Sequence, residues 1–125
     1  DIQIVENRDL IKNSILRAKF MELVALESSH NQEHLDYFMV GMFSSIDILL
    51  NRDMALIVEE LPFTSDVKNA LLGQDNPINS TLKVIQNHEY ARLNELKHDY
   101  PIEHISQTRF MELYIEAINW VKRHD

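Results

Sequence analysis

Only two glycines and three prolines occur among the 125 residues of the chain, and this scarcity is its most constraining feature. Antiparallel sheets need a tight turn between successive strands, and glycine and proline supply the backbone angles of such turns. So few of these residues favour helices joined by short connections. The apolar residues agree, because they recur every three or four positions along most of the chain. We therefore predict an all-α bundle of about six helices in a single domain, residues 1–125.

Apolar spacing and capping residues place the predicted helices at 9–26, 31–50, 53–61, 65–72, 79–98 and 103–123, of which 79–98 is either one helix or two. The segment 31–50 is apolar on nearly all sides, so we expect it at the centre of the bundle. Within it, Gly41 would let a neighbouring helix approach closely. Thr64 or Ser65 is the expected cap of the fourth helix, and Gly73 is expected to end that helix.

Composition and charge exclude several classes of function. Cysteine is absent, which removes disulfide frameworks, zinc–cysteine sites and thiol nucleophiles. Acidic residues outnumber basic ones by 20 to 12, and the net charge of −8 repels nucleic-acid phosphates and anionic lipid surfaces. The longest apolar run, residues 37–43, is too short to cross a bilayer. Because no basic segment followed by an apolar one opens the chain, we expect a cytoplasmic protein that binds neither nucleic acid nor membrane.

Four segments, taken in order, resemble a known family. Residues 15–25 (ILRAKFMELVA), 38–47 (FMVGMFSSID), 59–73 (EELP, then DVKNALLG) and 114–120 (YIEAINW) are similar to successive motifs of HDOD domains. These are HD-related output domains of bacterial signalling proteins, and the similarity is closest to those that follow an EAL domain. The resemblance implies an HD-domain-like helical fold and a role in signalling related to cyclic di-GMP.

The resemblance also implies helices ahead of residues 15–25 that this chain does not contain. We therefore expect the C-terminal part of a larger protein, truncated at its N-terminus. No E-A-L motif occurs in the chain, so an EAL phosphodiesterase domain would belong to the parent protein. If core faces have lost their partners in this way, apolar surface near the first helix is expected to be exposed and covered by a second molecule.

Related HD phosphohydrolases bind a divalent metal through a His–Asp pair in a central helix. On the register set by residues 40–43, those two positions fall on Ser44 and Ser45. A metal that activates water needs imidazole and carboxylate ligands, and a neutral hydroxyl replaces neither. We therefore predict no bound metal, no other cofactor and no catalytic residue. Asp47, three residues after Ser44, is either a remaining metal ligand or a local capping residue.

Three further pairs of residues have spacings that occur in metal sites. They are His30 with His34, His98 with Asp99, and His124 with Asp125. The first pair has the i,i+4 spacing of helical metal ligands, and the other two lie at expected helix ends. No further ligand lies within sequence reach of those two pairs, and the helix dipole alone favours a histidine near a helix C-terminus. We expect a structural role for each pair.

Arg17 and Trp120 are the predicted partner-binding residues. Arg17, on the charged side of its predicted helix, either binds a partner domain or an anion or is a solvated or salt-bridged arginine. Trp120, at the edge of the last apolar stripe, either anchors a partner or packs in the core. We expect a non-catalytic regulatory module that acts through contacts with another domain, such as an EAL domain, or with a second copy. The alternative is a divergent metal-dependent phosphohydrolase that acts on nucleotides or cyclic dinucleotides.

Overall fold

The computed structural model describes the backbone of residues 2–125 and the side chains from residue 6 onward. Within this range the chain forms seven α-helices, one short 3-10 helix and no strand, which confirms the predicted all-α fold. The α-helices are α1 (Ile2–Leu26), α2 (His34–Phe43), α3 (Ile46–Leu50), α4 (Met54–Glu60), α5 (Ser65–Leu71), α6 (Pro77–Leu93) and α7 (Gln107–Arg123). The 3-10 helix, Asn31–Glu33, directly precedes α2.

A glycine in α2 brings α1 and α2 into close contact. A Cβ atom on Gly41 would lie 2.6 Å from the Cα of Ala18 and 2.9 Å from the carbonyl oxygen of Arg17. A side chain does not fit in that space unless the backbone of α1 moves. The predicted close approach at Gly41 is therefore confirmed. Two later helices, α6 and α7, also pack on α1.

The predicted single helix at 31–50 is wrong in its extent and in its burial. The α-helix begins at His34 and is interrupted between α2 and α3. One side of the segment also faces solvent, since Leu35 is 63% exposed and Ile48 is 68% exposed. The buried side of α2 consists of Tyr37, Val40 and Gly41. Apolar spacing alone did not distinguish which face of this segment packs inward.

Two serines mark the break between α2 and α3. The hydroxyl of Ser44 donates to the carbonyl oxygen of Gly41 at 2.9 Å. A serine that bonds the preceding turn in this way competes with the backbone ladder and often bends a helix. Ser45 has a φ of −118° and a ψ of 15°, outside the helical region, and α3 follows it. The break therefore holds both hydroxyls against the inner side of the bundle.

The helix α5 begins and ends at the capping residues that the sequence predicts. The Thr64 hydroxyl accepts the N–H of Val67 at 3.3 Å, so Thr64 is the cap of α5. Gly73 has a φ of 82°, and the N–H of Gln74 bonds the carbonyl of Asn69 at 2.9 Å. This is the arrangement that ends a helix at a left-handed residue. Gly73 therefore ends α5 as predicted.

The predicted segment 79–98 is one helix, α6, which ends earlier than expected. Glu95 adopts a left-handed φ of 56°, and the N–H of Leu96 bonds the carbonyl of Ala91 at 2.8 Å. The left-handed residue and this hydrogen bond end the helix after Leu93. Residues 94–106 then lead to α7, with one isolated bridge between Ile102 and Ile105.

Aromatic side chains fill the centre of the core where α1, α6 and α7 meet. The ring centroids of Phe20 and Phe110 are 4.9 Å apart, and Tyr100 stacks on Phe110 at 5.1 Å. His88 lies among these rings and is as buried as they are. An ionisable group therefore lies at the aromatic centre of the core.

Candidate functional site

The guanidinium of Arg17 is the centre of a polar cluster that joins three parts of the fold. Its Nε and Nη2 atoms donate to the two carboxylate oxygens of Glu89 at 2.8 and 2.7 Å. Its Nη1 atom donates to the hydroxyl oxygens of Ser44 and Ser45 at 2.7 and 3.0 Å. We call these four residues the arginine clamp. Because Arg17 is only 8% exposed, the clamp is largely protected from solvent.

The fold positions each member of the arginine clamp through a different element. Arg17 lies in α1, the serines form the break between α2 and α3, and Glu89 lies in α6. The close contact between Gly41 and Ala18 brings the serines within reach of the guanidinium. Planar guanidinium and carboxylate groups match in two parallel hydrogen bonds, which fixes their relative orientation. The clamp thus connects α1, α6 and the α2–α3 break at one point.

The arginine clamp contains both serines that the sequence analysis singled out. Ser44 accepts a hydrogen bond from Arg17 and donates one to Gly41, so both roles of its hydroxyl are in use. Arg17 was expected on a charged side of α1, but that position is buried, and of the two alternatives to binding it is salt-bridged, to Glu89, rather than solvated. Binding of a partner through Arg17 stays a prediction. Sequence reasoning missed Glu89, which lies 72 positions from Arg17 in the chain.

Asp47 and Trp120 lie away from the arginine clamp. Asp47 is half-buried in the first turn of α3, and its carbonyl oxygen accepts the N–H of Arg52 at 3.1 Å. Trp120 is half-buried, with the Lys19 ammonium 4.8 Å and the His124 ring 4.4 Å from its ring. The protein's own side chains therefore cover part of the indole. Partner binding by Trp120 stays a prediction.

The predicted histidine pairs separate into local contacts. His34 Nδ1 lies 2.7 Å from a carboxylate oxygen of Glu22, whereas His30 stacks on the ring of Tyr37. His98 packs edge-on against Tyr100, and His124 bonds the carbonyl of Trp120. Among the residues that the structure describes, no three His, Asp or Glu side chains form a group that could hold a metal ion.

Glu22 joins α1 to the start of α2 through a second buried carboxylate. Its oxygens lie 3.0 Å from the Lys19 ammonium and 2.7 Å from the His34 ring. Burial opposes the charged form, but the hydrogen bonds from Lys19 and His34 hold the pKa of Glu22 below its ordinary value. The carboxylate therefore stays charged and ties the two helices together.

His88 is a buried histidine that sequence reasoning missed. It is 1% exposed, and neither ring nitrogen has a hydrogen-bond partner among the described residues. Four aromatic rings surround it at centroid distances of 4.6 to 5.8 Å: Phe20, Tyr100, Phe110 and Tyr114. Burial, and then the nearby positive charge of Arg92, lower the pKa of His88 to about 4. The imidazole is therefore neutral at physiological pH.

A cavity of about 570 Å³ opens between α1 and α6, next to both Arg17 and His88. Its walls contain Asn13, Leu16, Arg17, Phe20, Gln86, His88, Glu89, Tyr90, Arg92, Leu93 and Tyr114. Leu93 is 88% exposed, and Ile11 on α1 is exposed as well. Exposed apolar surface near the first helix is therefore present, as predicted. Its coverage by a second molecule stays a prediction.

No helix in the described part of the chain has the length and apolar character that a membrane span requires.

Two longer proteins are similar to this chain. A Bacillus subtilis protein of uncharacterized function, YuxH, is 36% identical over 115 residues, which are 90% of this chain and 27% of that protein. The cyclic di-GMP phosphodiesterase CdgJ of Vibrio cholerae is 33% identical over 84 residues, 67% of this chain and 19% of that protein. No model of a known protein family matches the chain, and no solved structure does. The chain thus spans about a quarter of one relative and a fifth of the other, and it is similar to part of a cyclic di-GMP phosphodiesterase.

Proposed function

We propose that this domain is a non-catalytic signalling module of the HDOD type, within a bacterial protein related to cyclic di-GMP signalling. The context is supported by the similarity to part of CdgJ, a cyclic di-GMP phosphodiesterase. The HDOD assignment rests on the four motifs found along the chain. The observation that carries the non-catalytic role is the arginine clamp.

The arginine clamp uses the two positions at which the resemblance puts the metal-binding His–Asp pair. At Ser44 and Ser45 the chain has neutral hydroxyls, and a cationic guanidinium lies 2.7 and 3.0 Å from their oxygens. A divalent cation at those oxygens would be repelled by Arg17 at close range and would find no imidazole or carboxylate on either serine. The carboxylate of the arginine clamp, Glu89, already bonds Arg17 through both of its oxygens. A protein cation thus takes the place of a metal.

In this account the domain acts by packing contacts rather than by chemistry. The arginine clamp fixes the α2–α3 break relative to α1 and α6, so a change at the break would alter three elements together. Beyond the break, Ile48, Leu50 and Leu56 are exposed apolar side chains of α3 and α4. Exposed apolar side chains that lie close together are typical of interaction surfaces. The proposed partner is another domain of the longer protein, such as an EAL domain, or a second copy.

Metal analysis combined with an activity assay tests this proposal against a divergent phosphohydrolase. The purified chain is incubated with Mn²⁺, Fe²⁺ or Zn²⁺, dialysed and assayed for bound metal and for hydrolysis of cyclic di-GMP. We expect no stoichiometric metal and no hydrolysis above that of buffer. One bound metal per chain together with hydrolysis, both lost in Asp47→Asn, would overturn the proposal in favour of an enzyme. Arg52→Ala, an exposed change outside the arginine clamp, is the matched control.

A further inference from the structure

The cavity between α1 and α6 has the size and lining of a small-molecule site. Its volume of about 570 Å³ lies within the range of roughly 300 to 1,000 Å³ that ligand pockets occupy. The side chains of Leu16, Phe20 and Tyr114 provide apolar and aromatic surface along its walls. Tyr90 and Leu93 extend that surface to the exposed rim. A planar aromatic molecule would bury its faces against these side chains.

The charges around the cavity favour a ligand with one negative group. Glu89 and Arg17 neutralise each other through two hydrogen bonds, so neither carries an uncompensated charge. Arg92 is different, because its guanidinium lies 4.6 Å from the ring of Tyr114 and no carboxylate of the described residues lies within ion-pair distance of it. Arg92 therefore presents a free positive charge at the cavity, although the chain as a whole carries −8.

The buried end of the cavity has an unmet demand for hydrogen bonds. His88 lines the cavity, and neither of its ring nitrogens has a protein partner. A neutral imidazole carries one donor and one acceptor. Buried polar atoms in proteins nearly always have a partner, and those without one indicate ordered water or a ligand. His88 is thus a second observation, independent of Arg92, that points to an occupant of this cavity.

We propose that the cavity binds a small planar aromatic anion, with its ring against Leu16, Phe20 and Tyr114 and its acidic group paired with Arg92. Such a site would give the module a small-molecule input. The inference does not depend on the absence of catalysis, since a binding site of this kind is compatible with either function. Ligand binding at this cavity also does not require the hydrogen bonds of the arginine clamp to break.

Titration with a matched pair of probes tests the proposal. Indole-3-acetate carries a carboxylate, whereas indole-3-acetamide has nearly the same shape without the charge. Each is added to the ¹⁵N-labelled chain, and amide shifts are followed by NMR. We expect both probes to shift residues of α1 and α6 that line the cavity, with indole-3-acetate binding about fivefold more tightly, the upper range for an ion pair with an exposed arginine.

Variants separate the proposed contact from general charge effects. Arg92→Ala should remove the preference for indole-3-acetate and leave the affinity for indole-3-acetamide unchanged. Arg52→Ala removes the same charge at an exposed position that does not line this cavity, and it should leave the preference intact. The proposal is overturned if neither probe binds at millimolar concentration, or if the shifts fall outside α1 and α6. Equal binding of the two probes, or a preference that survives Arg92→Ala, also overturns it.

Discussion

Residues 88 and 89 are neighbours in α6, and the protein accommodates their polar side chains in opposite ways. Glu89 bonds the buried Arg17 through both of its carboxylate oxygens. His88 is more deeply buried and has no hydrogen bond, and its imidazole is neutral. The comparison separates two ways to place an ionisable group in a core. A charge needs a partner of fixed geometry, whereas a shift of its proton equilibrium spares His88 a buried charge but leaves its two ring nitrogens without hydrogen bonds.

A substitution at the close contact between Gly41 and α1, which brings the arginine clamp together, is expected to lower stability the most. Gly41→Ala would put a methyl group 2.6 Å from the backbone of α1, so the helices must separate. We expect a loss of about 3 kcal/mol in the free energy of unfolding, the upper range for overpacking. Urea denaturation measures it. Gly73→Ala is the control, since its Cβ meets no atom within 4 Å and only its left-handed φ is strained, at a cost of about 1 kcal/mol. Similar losses in both variants would contradict the account.

The histidine side of the comparison predicts a pH dependence of stability. The pKa of His88 is lowered from 6.5 to about 4 in the folded protein, so the unfolded chain binds more protons between these values. Stability from the neutral histidine is complete above pH 6.5 and is lost as the pH falls towards 4. The free energy of unfolding lost over this pH range is about 3 kcal/mol.

The variant His88→Phe isolates this effect from other groups that titrate at low pH, such as Glu22. As the pH falls from 7 to 4, the wild type should lose about 3 kcal/mol more of its unfolding free energy than His88→Phe does. Melting curves across this range give the difference. A difference that does not change with pH would mean that folding does not lower the pKa of His88 and would contradict the account.

The arginine side is tested by two arginines that each pair with one carboxylate. Arg17 bonds Glu89 through Nε and Nη2, and Arg52 bonds Glu60 through Nη1 and Nη2, but only the first pair is partly buried. Arg17→Met leaves Glu89 and two hydroxyls without their donor, and we expect a loss of about 2 kcal/mol. Arg52→Met should cost much less, because solvent screens exposed pairs. Equal costs, measured by denaturant unfolding, would show that burial does not strengthen the arginine clamp.

Local sequence signals predicted much of the fold. Thr64 and Gly73 mark the ends of α5 through short-range capping, and the small size of Gly41 shows directly in the sequence. The break at Ser44 and Ser45 was not predicted, because apolar spacing continues across it. It depends on hydroxyl contacts that form only in the folded chain.

The candidate site was less accessible to sequence reasoning. The two serines were identified through their positions in a motif, but their partner was not. Arg17 and Glu89 are separated by 72 positions, and nothing local to either residue indicates the pair. Apolar spacing allowed either His88 or Glu89 on the buried side of the helix, and it did not show that His88 would be surrounded by aromatic rings from distant parts of the chain.

The most direct test of the central claim observes the Arg17 side chain itself in the presence of a paramagnetic metal. If the guanidinium takes the place of a metal beside Ser44 and Ser45, its Nε–H should give a distinct ¹⁵N-resolved NMR signal, because it donates to Glu89 in a protected site. Adding one equivalent of Mn²⁺ should leave that signal sharp. Selective broadening of the Arg17 Nε–H and of the Ser44 and Ser45 amides at stoichiometric Mn²⁺ would place a metal in the arginine clamp and contradict the account.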